Sequence, residues 1–273
     1  MKTLQKNSRL SRGGYAVLRQ HERHPRIALN RFALAQSVTL ANIATDCSGV
    51  AHSPPTRSIF VAKNSTNFIY EYSETGIWLR TITTTGFADC EGLCWMYDDY
   101  FAISEEDTSS IVIVRIQPGT ASLTKASGTT INTGLGNLDA NTGGGFEGVT
   151  YDPENHKFYV VKERQSTAPN RNGMRVYEVL MNGLTREPFV ASAKLPASVT
   201  DLADLFYDRF SKHLFLLSHE NESIIETDLN GTVFGISFLP APMNQPEGIT
   251  FSADRRTIWL VGEPNEMRRF TAF

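Results

Sequence analysis

The sequence predicts an all-β chain folded as a single β-propeller of five blades, with six as the alternative count, closed by an N-terminal strand. Three observations predict it. A Glu-Gly-type pair recurs along the chain, short apolar strands alternate with polar turns inside each recurrence, and the last copy stops one strand short.

The first copy is the weakest: Asp46-Cys47-Ser48-Gly49-Val50, a turn at Pro54 to Arg57, then Ile59 to Val61 and Phe68 to Tyr72. The second opens Asp89-Cys90-Glu91-Gly92-Leu93 and rises through Tyr100 to Ile103 into Ser104-Glu105-Glu106. The third runs Gly145-Phe146-Glu147-Gly148-Val149, then Phe158 to Val161 and Lys162-Glu163-Arg164. In the fourth, Asp201-Leu202-Ala203-Asp204, the Glu-Gly pair is replaced by Ala-Asp, and Leu217-Ser218-His219-Glu220 follows. The fifth is Gln245-Pro246-Glu247-Gly248-Ile249, then Thr257 to Val261 and Glu263-Pro264-Asn265. Equivalent positions Ser48, Glu91, Glu147, Ala203 and Glu247 lie 43, 56, 56 and 44 residues apart, the period of a three- or four-stranded blade.

A solenoid is the competing repeat architecture. The chain ends argue for a ring, because the last copy lacks its outer strand and the apolar segment Ser37-Val38-Thr39-Leu40 precedes the first. Pairing the two removes an exposed sheet edge. Residues 36–273 are therefore expected to form the propeller, and residues 1–35 a basic, disordered leader.

Charge is divided the same way. The net charge of −3 combines +7 over the first 31 residues, where eight Lys and Arg meet Glu22 alone, with −10 over the rest. An acidic body disfavours nucleic acid. The leader has no apolar core of a secretory signal. No apolar run is long enough to span a membrane as a helix. Cys47, Cys90 and Cys94 have no zinc spacing, and four residues of strand hold Cys90 and Cys94 too far apart to bond; Cys47 with Cys90 is the one conceivable pair.

A hairpin brings the start of each first strand and the end of each second strand to the same sheet end. The repeat starts should converge on the channel axis, with Ser48, Glu91, Glu147 and Glu247 innermost and Asp46, Asp89, Asp201 and Asp204 one or two positions away. Glu105, Glu163 and Glu263 are expected in a wider ring behind them, with Glu106, His219 and Glu220. Two glutamates about 7 Å apart repel by about 2 kcal/mol at an effective dielectric near 20, so such a mouth calls for protons, basic partners or a cation. Oxygen donors without clustered Cys or His suit calcium, with Glu91, Glu147, Glu247, Asp201, Glu163, Glu105 and Glu263 as the expected ligands. Recurrent glutamates that merely accept backbone hydrogen bonds are the bland alternative.

Gly145-Phe146-Glu147-Gly148, Leu217-Ser218-His219-Glu220 and Pro246-Glu247-Gly248 with Glu263-Pro264-Asn265 resemble the SdiA-regulated family of bacterial β-propellers. The resemblance covers about residues 36–273. It implies five blades, a calcium site anchored on Glu91, Glu147 and Glu247, distant similarity to NHL-repeat propellers, and a place in the cell envelope. Ala203 and the basic leader depart from it. The expected function is a calcium-dependent module that binds a protein or glycan. The alternative is a calcium-dependent hydrolase of esters, lactones or phosphoesters with His219 and Glu220 or Glu163 as base. No GxSxG elbow is present.

Overall fold

The computed structural model describes residues 26–273 apart from 65–67, 139–143, 165–172 and 241. The first strand of the chain, β1 (Phe32–Thr39), waits at the rim for the last. The first blade follows as β2 (Cys47–Ser53), β3 (Ser58–Lys63), β4 (Phe68–Ser73) and β5 (Trp78–Thr85). The second contains β6 (Cys90–Tyr97), β7 (Tyr100–Glu105) and β8 (Ser110–Arg115). The chain then adds β9 (Ser122–Thr124) parallel to β5 on the first blade before β10 (Thr129–Asn132) completes the second.

The third blade is β11 (Phe146–Asp152), β12 (Lys157–Lys162), β13 (Arg175–Leu180) and β14 (Thr185–Phe189), and a one-turn helix, α1 (Ala191–Lys194), follows it. The fourth is β15 (Asp204–Asp208), β16 (His213–Ser218), β17 (Ser223–Thr227) and β18 (Val233–Phe238). The fifth has β19 (Pro246–Phe251), β20 (Thr257–Gly262) and β21 (Glu266–Ala272), and β1 supplies its outer strand.

Each blade is an antiparallel meander whose first two strands join through a tight turn. That turn contains a non-glycine residue at positive φ in all five blades: Arg57, Asp98, His156, Lys212 and Arg255. Side chains offset the strain locally. Asp152 accepts from the amides of Glu154 and Asn155, and Asp208 from those of Phe210 and Ser211.

Five apolar clusters fill the spaces between neighbouring blades. One of them joins Trp259, Val261 and Met267 of the last blade to Ile59, Val61 and Tyr72 of the first. That cluster separates a ring from a solenoid, since an open array has no contact between its terminal repeats. The ring therefore has five blades, not six.

Closure is by β1, as expected, but it begins at Phe32, inside the span assigned to the leader. Val38 faces Met267 and Thr39 faces Glu266. A bulge between Leu34 and Gln36 interrupts the alternation, so only the segment after it reads as a strand. Ile27 is buried, and Arg26 forms a bidentate pair with Glu226 at 2.6–2.9 Å, so the described chain is folded from residue 26 on. Residues 1–25 lie outside the described residues. All three cysteines are free thiols, including the Cys47 and Cys90 pair.

Candidate metal centre

The inner strands β2, β6, β11, β15 and β19 ring the axis, and the Glu-Gly pairs acquire their meaning there. In β2, β6, β11 and β19 the ladder to the next strand gains one extra residue at Ser48-Gly49, Glu91-Gly92, Glu147-Gly148 and Glu247. Each pair is a β-bulge. A bulge re-aims a side chain, and here it turns the serine or glutamate into the channel mouth.

The glycine of the pair permits the neighbouring blade to approach. A Cβ on Gly92 would meet Glu147 O and Val149 N at 2.6 Å, and one on Gly248 would meet Ser48 O at 2.6 Å. No side chain fits there. Seryl hydroxyls complete the seam: Ser48 Oγ donates to Glu91 O at 2.7 Å, and Ser104 Oγ accepts from Gly92 N at 2.7 Å while donating to Glu147 O.

The fourth blade does without a bulge. Asp204 stands where the others have glycine, fully buried, with Oδ1 accepting from Leu205 N at 2.8 Å and Oδ2 from Ile249 N at 2.7 Å. It ties β15 to β19, and burial holds its carboxyl well above the usual range.

Above this seam lies a cavity of about 370 Å³. Seven carboxylates line it: Glu91, Glu106, Glu147, Glu163, Asp201, Glu247 and Glu263. Arg164 is the one permanent cation among the lining residues, and it is engaged by Glu220 and Glu163. Asp89, Glu91 and Glu106 bring oxygens within 4.8 Å of one another. Glu106 also accepts from Gly145 N at 2.8 Å, across the blade boundary.

Deep placement dominates the electrostatics. Burial pushes Glu91 up to about 8, against the pull of the 2.6 Å hydrogen bond from Ser48 Oγ. Burial and then the neighbouring Glu91 push Glu247 to about 9. Glu147 stands well above its ordinary value, again through burial first and then Glu91 and Glu106. Glu163 and Glu263 are raised in the same way.

Six of the seven carboxylates named from sequence as metal ligands therefore line one cavity: Glu91, Glu147, Glu247, Asp201, Glu163 and Glu263. Glu105 does not. It is fully buried inside the second blade, accepting from Ala88 N, Ser110 Oγ and Lys125 Nζ at 2.6–2.9 Å. Strand alternation sends the next residue, Glu106, to the mouth instead. Asp201 faces the cavity but is already committed, accepting from Ser218 Oγ at 2.6 Å, His219 N at 2.9 Å and Glu220 N at 3.1 Å.

Asp89 and Glu106 were expected at the mouth but not among the ligands. Their link is that Glu106 N donates to Asp89 O at 2.9 Å, the same bond that Asn64 makes to Asp46 and Glu263 to Gln245. His219 pairs with neither Glu220 nor Glu163: its Nδ1 is 3.3 Å from Glu247 Oε1, while Glu220 binds Arg164 and Thr200.

Fold and site together define a class: closed five-bladed propellers with an acidic channel mouth. Within that class, the profile of the SdiA-regulated family matches residues 26–271, and the chain belongs to that family.

Solved structures of similar fold include the luciferin-regenerating enzyme, with a TM-score of 0.56 and 10% identity over 87% of this chain and 95% of that one. A virginiamycin B lyase from Staphylococcus aureus has a TM-score of 0.54 and 13% identity over 89% and 100%. A chain of a nidogen/laminin complex has a TM-score of 0.53 and 15% identity over 80% and 73%. At these identities the likeness is one of fold alone.

Proposed function

We propose that this protein is a calcium-binding propeller acting as an interaction module in or near the cell envelope, with the ion in the acidic mouth and the surrounding loops presenting a surface to a protein or glycan. The observation that carries the proposal is the seven carboxylates lining one cavity beside a single, already paired arginine. The donor set fits a hard cation. Carboxylates and main-chain carbonyls are the ligands calcium takes, six to eight at a time in flexible geometry. Cys47 also lines the cavity, but a lone sulfur among seven carboxylates does not make the clustered thiolate set that a softer metal takes. Glu91, Glu106 and Asp89 would hold the ion on one side, and Glu147 and Glu247 would complete the set.

The test is thermal unfolding of chelator-stripped protein titrated with calcium. A ligand bound only by the native state stabilises it by about 2.7 kcal/mol at a hundredfold excess over its dissociation constant, so the melting temperature should rise. Glu147→Gln keeps the shape, removes a charge and should lose most of that rise. An equal rise in wild type and variant, or none in wild type, would leave these groups as hydrogen-bond acceptors of the repeat.

A second reading is a hydrolase at the same mouth, favoured by the placement of His219 Nδ1 3.3 Å from Glu247 Oε1. Bound calcium would there polarise an ester, lactone or phosphate oxygen. His219, oriented by Glu247, would take the proton from water. Turnover of simple esters, lactones or phosphomonoesters that depends on calcium and disappears in His219→Ala would replace the first reading with this one.

A further inference from the structure

At the opposite end of the channel the same five strands build a second cavity, of about 310 Å³, which shares no lining residue with the acidic mouth. Its floor follows from the repeat. Two residues beyond Ser48, Glu91, Glu147, Ala203 and Glu247 stand Val50, Leu93, Val149, Leu205 and Ile249, all at most 2% exposed. Two residues further stand His52, Trp95, Tyr151, Tyr207 and Phe251, so every blade contributes a ring at the same level. Period-two alternation puts both layers on the same face of each strand.

The walls are built to stack flat groups. Phe206 lies against Phe251 with ring centroids 4.6 Å apart, and His52 against Trp259 at 4.6 Å. His52 Nε2 is 3.0 Å from Glu74, whereas its buried Nδ1 has no hydrogen-bond partner among the described residues. The buried Tyr207 hydroxyl is likewise without a partner among the described residues, and Thr150 and Thr250 add further polar groups to a mainly apolar lining.

The rim adds a charge. Phe210 is flanked by the guanidinium groups of Arg209 at 4.7 Å and Arg255 at 5.4 Å from its ring centre. Arg255 is matched by Asp208 at 2.8 Å, while Arg209 is exposed and in no ion pair among the described residues. The lining therefore keeps one uncompensated positive charge beside an aromatic surface. Ligand pockets span roughly 300–1,000 Å³ and combine apolar walls with a few fixed polar groups. This cavity meets both criteria at the small end.

We infer that the second cavity binds a small aromatic monoanion, its flat body against Trp95, Tyr151, Phe206 and Phe251 and its carboxylate or sulfonate at Arg209. The site is independent of the acidic mouth and of any metal there.

The test uses the full chain and two fluorescent probes of one shape, the anion 8-anilinonaphthalene-1-sulfonate and the neutral N-phenyl-1-naphthylamine. Both should bind saturably at one per chain, with affinities unchanged by calcium. Arg209→Gln, a surface change, should weaken the sulfonate about three- to fivefold, the weight of a solvent-flanked charge pair, and leave the neutral probe unaffected. Ala253→Trp, at the exposed edge of the cavity, should abolish saturable binding of both with the melting temperature preserved. Absence of saturable binding, or binding that survives Ala253→Trp, overturns the site. If Arg209→Gln leaves the sulfonate unaffected, or weakens the two probes equally, the assignment to an anion is overturned.

Discussion

Glu91 and Glu247 illustrate how a bulge changes the chemistry of a carboxyl group. Both are turned into a ring of like charges and surrounded by protein, so each holds its proton near neutrality, to about 8 and about 9 against an ordinary 4.5. The folded state therefore binds more protons than the unfolded chain, and stability falls with rising pH over the range where that difference exists. In chelator the melting temperature should be highest near pH 5 and decline as pH rises towards 9, the window between the unfolded and folded values. A cation in the mouth replaces the protons, so saturating calcium should flatten that decline. Melting curves at four pH values, with and without calcium, measure this directly. A chelated protein that gains stability from pH 5 to 9 would show that these carboxyls are ionised when empty.

At the scale of the element, the closing strand matters most. Pairing of β1 with β21 covers the edge of the fifth blade, and Asn265 fastens the join through Leu40 N donating to its backbone oxygen at 2.7 Å and its side chain donating to Ile43 O at 2.8 Å. Deleting residues 1–40 should lower the melting temperature by roughly 10 °C or more, equivalent to about 3–5 kcal/mol for a domain of this size. Arg26→Ala, which removes the rim pair with Glu226 and the stacking of the guanidinium on Phe234, should cost about 1–2 kcal/mol. Comparable shifts for the two changes would mean that β1 is dispensable.

The limits of the sequence are clearest at this scale. The repeat could be read because a Glu-Gly-type pair recurs every 43 to 56 residues, and it recurs because both bulge and close approach demand it. The start of β1 could not, because its bulge breaks the period that marks a strand. Choosing between Glu105 and Glu106 needed the ladder that pairs Cys90 with Glu105. Asp204 was visible as a departure from the repeat, but its role as a bridge between β15 and β19 depends on contacts 45 residues apart. The parallel excursion of β9 had no signal beyond a longer second repeat.

For the whole molecule, five interfaces in a closed circuit mean that no blade has a free face. Phe158 is buried between the second and third blades, and Trp259 between the fifth and first. Truncation of either to alanine should cost about 3–5 kcal/mol. Each should move a single urea transition to lower denaturant with an unchanged slope, since loss at one interface opens the circuit for all. An open array would instead show a partial loss of signal, with the distant blades surviving. A biphasic curve in either variant would contradict the closed ring.

The join between β1 and β21 also imposes an order of events during synthesis. β1 is translated some 230 residues ahead of its partner β21. At about 5–20 residues per second the early strand waits roughly 12–45 s before β21 exists. Through that interval the ribosome carries as many as four blades with no ring to complete, and apolar surfaces that will later form the seam between the last blade and the first stay uncovered. Closure of the ring is therefore decided only once β21 has been made, and the propeller is most prone to aggregate as the nascent chain that stops just short of it.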